Sequence, residues 1–212
     1  MNHFQVKVCG ITRTTDAELV ADLGGDMVGF VFYTKSPRRI SVRAAADISR
    51  SGAVALVDRV GVFVDERVAR ILRIAERVRL DLIQLHGNET AKEVAAIQKA
   101  GFRVIKAHRV SCSDDWERAA RSRADLIMAD RMTRELPGGS GKQFDWSIRP
   151  RRKLPNLVLA GGISVDNLAE GVKLFKPILV DVSSGVETRP GIKSSRKLRA
   201  FFAECNRLRY GS

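Results

Sequence analysis

Cys9 closes the apolar run FQVKVC at residues 4–9, and Lys7 stands two residues before it. In an extended strand these two positions share a face. A free thiol ionises near pH ~8.5, and a neighbouring cation lowers that value toward neutrality. Cys9 then reads as a general base; the other reading is a small buried apolar side chain, the common fate of a free cysteine. Asp130 closes a second run, ADLIMAD. Partial desolvation raises a carboxyl pKa, and a raised carboxyl donates protons as a general acid. Its alternative is an aspartate capping N–H groups at a loop start. His86 ends LDLIQLH and Asp181 lies in PILVDVS. His86 is either a titrating group or a hydrogen-bonded structural one. Asp181 reads as a ligand-hydroxyl or structural group. Arg38 and Arg39 follow MVGFVF; one of them can grip a carboxylate through paired N–H bonds, and the other is a solvated charge.

Glycine-rich segments supply anion chemistry. AGGIS (160–164) and SSGVE (183–187) follow the last two apolar runs. Free N–H groups and a short helix at such loops attract phosphate. The candidate phosphate ligands are Gly161, Gly162, Ser183 and Ser184. PGGSGK (137–142) fails the nucleotide P-loop pattern, since Gln143 follows Lys142 and Leu136 stands where the first glycine belongs. It reads as a lid.

These residues need elements to carry them. Eight short, β-branched runs lie at 4–9, 27–32, 59–64, 80–86, 102–108, 124–130, 156–161 and 177–183. Amphipathic stretches such as ERVARILRIAERV separate them, with capping residues expected at Asp16, Glu89 with Thr90, and Ser164, and helix-closing glycines at Gly24 and Gly101. Eight βα units predict a parallel sheet closed as a (β/α)8 barrel, one catalytic domain over residues 1–212. An open doubly wound sheet is the rival, with fewer strands. In such barrels chemistry sits at the C-terminal strand ends, where His108 also falls.

Composition narrows the class. The 212 residues carry 37 Lys plus Arg against 24 Asp plus Glu, a net charge of +13. The basic residues are spread through nearly every segment, and the densest block, RPRRK (149–153), has no interleaved aromatic, so nucleic acid is not the expected partner. No apolar run reaches the ~18 residues of a membrane span. Three separated cysteines without a CxxC pair argue against a disulfide framework or structural zinc and for a reducing, cytoplasmic setting.

KVCGIT (7–12), GFVFYTKSPRRIS (29–41), VGVFVDE (60–66), IQLHGNE (83–89), GGSGKQFDW (138–146), LAGGIS (159–164) and VDVSSGVETRPGIKS (180–194) resemble, in this order, the phosphoribosylanthranilate isomerases of tryptophan biosynthesis. The resemblance spans about residues 5–204. It implies a (β/α)8 barrel that performs an Amadori rearrangement of an anionic phosphosugar without cofactor or metal, as a monomer or homodimer. It implies Cys9 as base, Asp130 as acid, Arg38 on the anthranilate carboxylate, His86 and Asp181 toward substrate, and phosphate on Gly161, Gly162, Ser183 and Ser184. A related histidine-pathway isomerase uses paired aspartates, one at the end of strand one; Cys9 stands there in this chain. Dual specificity stays open at this stage.

Overall fold

Eight parallel strands close into one barrel in sequence order, β8 pairing with β1. They are β1 (Gln5–Cys9), β2 (Met27–Val31), β3 (Asp58–Phe63), β4 (Leu82–Leu85), β5 (Arg103–Val110), β6 (Leu126–Arg131), β7 (Leu157–Leu159) and β8 (Leu179–Val182). The computed structural model describes residues 3–131 and 146–211, without the side chains of Ala53, Asp130 and Arg131. Helices α1 (Thr14–Asp22), α2 (Val42–Ser49), α3 (Val68–Val78), α4 (Ala91–Lys99), α5 (Ser113–Ala120), α6 (Leu168–Phe175) and α7 (Ser195–Tyr210) run between and after the strands. A two-stranded antiparallel hairpin, β9 (Glu187–Arg189) and β10 (Ile192–Lys193), precedes α7. No apolar run in the sequence marks this hairpin.

Strand faces divide by alternation. Met27, Val60, Leu82, Ile105, Met128 and Val158 fill the barrel lumen, while Val6, Val8, Val28 and Ile83 pack outward under the helices. Both faces are buried, which is why these strands read as continuous apolar runs. Helix α3 shows the complementary pattern: Ile71, Ile74, Ala75 and Val78 are buried and its arginines face water. Burial of such a stripe, at about 25 cal/mol per Å², holds a helix of this length that would be marginal alone.

Helix ends agree in part with expectation. Thr90 caps α4 in a reciprocal box with Glu93, and Gly24 and Gly101 have φ of 79° and 94° just past helix ends. Asp16 is no cap: it lies inside α1, held by Arg13 and by the Lys193 N–H. Asn167, not Ser164, precedes α6.

The N-terminal rim carries a repeated device. Asp26, Asp81 and Asp125 each stand just before an even-numbered strand and accept the backbone N–H of the preceding strand's start, from Val6 at 2.7 Å, Arg59 at 2.8 Å and Val104 at 2.8 Å. Arg209 of α7 adds a latch, donating to the Phe4 carbonyl and to Asp26, both at 2.9 Å.

Candidate active site

Cys9 ends β1 on the lumen side, packed with Val31 and Val62. Its strand neighbour is Gly29. A Cβ on Gly29 would lie 3.0 Å from Cys9 Sγ and 3.2 Å from Lys7 Cε. The glycine therefore leaves the space in which the thiol and the Lys7 chain meet. Lys7 is fully buried and donates to Asp181 Oδ1 at 2.8 Å. Burial lowers the Lys7 pKa, but Asp181 and Cys9 outweigh it and hold the ammonium above its ordinary value. Burial pushes the Cys9 thiol up; Lys7 and Lys193 pull it down only partly, and Asp181 opposes them. The proximity of Lys7 is thus as the sequence suggests, whereas the net direction is the reverse, because desolvation exceeds the pull of the cations. At rest the cluster holds a neutral thiol beside an ammonium.

A second set of charges lies behind Cys9. Lys193 of β10, fully buried, donates from Nζ to the Cys9 carbonyl at 2.5 Å, to the Ser183 carbonyl at 3.3 Å and to Glu187 Oε1 at 2.9 Å. Glu187 also accepts from Arg38: Nε lies 3.0 and 3.1 Å from its two oxygens and Nη2 lies 2.7 Å from Oε2. Burial raises the Glu187 carboxyl pKa, yet Arg38 and Lys193 bring it below the usual value. Burial lowers that of Lys193 despite Glu187. Arg38 itself lies across Gly10, where a Cβ would sit 2.8 Å from its Cδ.

The two glycine loops meet beside this cluster. Gly161 and Gly162 take φ of 82° and 72°, a left-handed pair that side-chain-bearing residues adopt only under strain. A Cβ on Gly185 would collide with the Ile163 carbonyl, so the loops after β7 and β8 are in contact. Ser183 Oγ donates to the Cys9 carbonyl at 3.1 Å. Asn167 ties down the first loop, accepting from the Ser164 N–H and donating to the Gly162 carbonyl.

The fold thus gathers Cys9, Arg38, Asp181, Gly161, Gly162, Ser183 and Ser184 around the β7–β8–β1–β2 sector of the C-terminal mouth. His86 follows β4 across the barrel, with Nδ1 2.9 Å from Gln84 Nε2. Loop 87–89 beside it is held by Lys106, which donates to the Gly87 carbonyl at 2.8 Å and to Glu89 at 3.0 Å; Glu89 is thus an ion-pair partner, not a cap. Asp130 belongs to the backbone of β6, in register with Arg109 of β5; its side chain, like the expected lid at Gly138–Lys142, lies outside the described residues. His108 is a correction. It shares the outward face of β5 with Val104 and Val110, and burial, then Lys106 and Arg118, lower its pKa to about 4. It is neutral and turned from the mouth. Among the described residues no cluster of three His, Cys, Asp or Glu is placed to hold a metal, and no helix is long and apolar enough to cross a membrane.

Residues 6–204 match the family described as N-(5'-phosphoribosyl)anthranilate (PRA) isomerase. The chain belongs to this isomerase family. A Pseudomonas putida N-(5'-phosphoribosyl)anthranilate isomerase is 42% identical over 203 residues, 95% of this chain and 97% of that one. A structure described as monomers generated from the dimeric phosphoribosylanthranilate isomerase of Thermotoga maritima superposes with a TM-score of 0.82 at 40% identity, over 96% of this chain and 98% of that one. A phosphoribosyl anthranilate isomerase solved with reduced 1-(o-carboxyphenylamino)-1-deoxyribulose 5-phosphate gives a TM-score of 0.82 at 39% identity, with the same coverage. Glu187 and Lys193 lie inside the motif VDVSSGVETRPGIKS that carries the resemblance, but their spacing in the sequence marks neither for the site.

Proposed function

We propose that this isomerase converts N-(5'-phosphoribosyl)anthranilate to 1-(o-carboxyphenylamino)-1-deoxyribulose 5-phosphate, an Amadori rearrangement in cytoplasmic tryptophan biosynthesis. The observation that carries the reading is the thiol of Cys9, lodged between two buried ammonium groups and beside the paired loops after β7 and β8. A phosphate seated on the N–H groups of Gly161, Gly162, Ser183 and Ser184 fixes one end of the sugar. Arg38 takes the anthranilate carboxylate at the other end.

Asp130 protonates the ribose ring oxygen, the C1'–O bond breaks, and the anilino nitrogen lone pair forms the iminium. Cys9, as thiolate, removes the proton from C2', and the C–H electron pair neutralises the iminium to give the enolamine. The enolamine then tautomerises, C1' gaining a proton as the C2' hydroxyl loses one, which yields the ketone; the proton taken up by Cys9 replaces the one given by Asp130. No atom is gained or lost. Each acid–base contact contributes about 10²–10⁴ in rate, and fixing both anionic ends adds the positioning effect. His86 and Asp181 face the sugar from opposite walls, and Asp181 also holds the Lys7 ammonium that supports the thiolate.

The test is direct. Purified protein mixed with freshly made phosphoribosylanthranilate should extinguish the substrate's fluorescence with saturable kinetics. Fluorescence decaying only at the rate of spontaneous hydrolysis would remove the reading.

A further inference from the structure

We propose that the buried Lys193–Glu187 pair is a positioning element that joins the carboxylate end of the site to its base: Glu187 sets the plane of the Arg38 guanidinium while Lys193 holds the backbone of Cys9. This rests on the function proposed above; it gives work to Glu187, which the mechanism does not use, and a second role to Lys193 beside its charge near the thiol.

The geometry is specific. A guanidinium presents two forked faces to carboxylates, one through Nε and Nη2 and one through Nη1 and Nη2. Glu187 occupies the first, with contacts of 3.0, 3.1 and 2.7 Å. Among the described residues Nη1 makes no hydrogen bond, so the second face is open to a ligand carboxylate. Arg38 is 8% exposed, its stem is fixed over Gly10, and Glu187 is in turn held by Lys193 and by the Gly191 N–H at 3.1 Å. Lys193 spends its other two bonds on the carbonyls of Cys9 and Ser183. One ammonium therefore touches the end of β1, the phosphate loop after β8 and the carboxylate that aims Arg38. One ion pair thus ties the loop after β8 to Cys9, 184 residues from Lys193, and to Arg38, 149 residues from Glu187.

A solvated guanidinium would be free to rotate and would meet the substrate in many orientations. Held by Glu187, Arg38 offers one preformed fork, so the ordering cost falls on folding and not on binding. The retained negative charge of Glu187 also limits the affinity of Arg38 for stray anions, which sharpens selection for a planar carboxylate.

The experiment compares two ligands by calorimetry: the reduced product analogue, and its aniline counterpart that lacks the carboxylate. In Glu187→Gln the first should bind about tenfold more weakly, about one lost charge-assisted bond, and the second as in the parent chain. Equal loss for both ligands, or loss for neither, overturns the aiming role. Should Glu187→Gln not fold, Glu187→Asp keeps the charge, withdraws it by one methylene and should show the same selective loss. The link to the base is read separately. Lys193→Met should lower kcat and raise KM together, and Lys193→Arg should restore both in part; a change confined to KM overturns the link. A parent chain that neither turns over phosphoribosylanthranilate nor binds the analogue would instead sink the proposed function. A parent chain that does both, without the selective loss in the variants, sinks this inference alone.

Discussion

The two rims of the barrel use acidic side chains for different ends. At the N-terminal rim Asp26, Asp81 and Asp125 accept backbone N–H groups and fasten β2, β4 and β6 to the strands before them, Asp26 and Asp81 also pairing with the partly exposed guanidinium groups of Arg209 and Arg59. At the C-terminal rim Asp181, Glu187 and Glu89 take the ammonium or guanidinium groups of Lys7, Lys193, Arg38 and Lys106, all buried. The first kind of contact satisfies donors that every strand start possesses, and any barrel benefits from it. The second places charges where burial penalises them, and a hydrophobic replacement of similar volume is often at least as stabilising. Charges kept at such a site point to chemistry, in line with the location of function at this end of (β/α)8 barrels.

That contrast can be broken most severely at the upper rim. Cys9→Ala and Asp130→Asn should each lower kcat by about 10²–10⁴ with circular dichroism unchanged. Near-normal turnover in either variant would strip that residue of its role. A smaller effect comes from pH. The thiol pKa is raised above its ordinary value by burial, and a thiol acting as the proposed base must be deprotonated. The thiolate fraction therefore grows as pH rises, and kcat/KM should still be climbing through the pH at which an ordinary thiol has already titrated. Lys7→Met removes a cation that lowers the thiol pKa and should move this limb further to the alkaline side. A limb complete below neutrality would contradict the resting state described. The smallest effect belongs to the lower rim. Asp81→Ala leaves the Arg59 N–H unpaired and removes the two bonds from the Arg59 guanidinium; it should cost about 1–3 kcal/mol of stability, read as a fall in Tm of about 2–4 °C per kcal/mol, with kcat unaltered. A kcat that fell with Tm would show that the two rims are not separable.

The barrel was legible in sequence because each strand is an apolar run buried on both faces and each helix keeps an apolar stripe, so the two periods alternate without interruption. The placing of Cys9, Asp181 and the glycine pairs at one end of the barrel was legible for a related reason: a polar residue or glycine at the end of an apolar strand is conspicuous. The direction of the Cys9 shift was not, because spacing shows that Lys7 is near but not how completely water is excluded. His108 misled because it stands at a strand end and yet, by alternation from Ala107, faces the helices. Glu187 and Lys193 escaped notice because their meaning depends on Arg38 and Cys9, which the chain brings to them only on closing β8 against β1. Asp16 resembled a helix cap because its real partner, the Lys193 N–H, lies 177 residues away.

The aspartate fastening of the N-terminal rim divides the chain into modules of two strands. β1 with β2, β3 with β4, and β5 with β6 each contain both the donor and the acceptor of one such bond. A circularly permuted chain whose new ends fall before Asp58 or Phe102 would keep every module whole. One opened before Asp26 or Asp81 would send the two halves of a module to opposite ends of the polypeptide, and closure there would wait for the last segment to arrive.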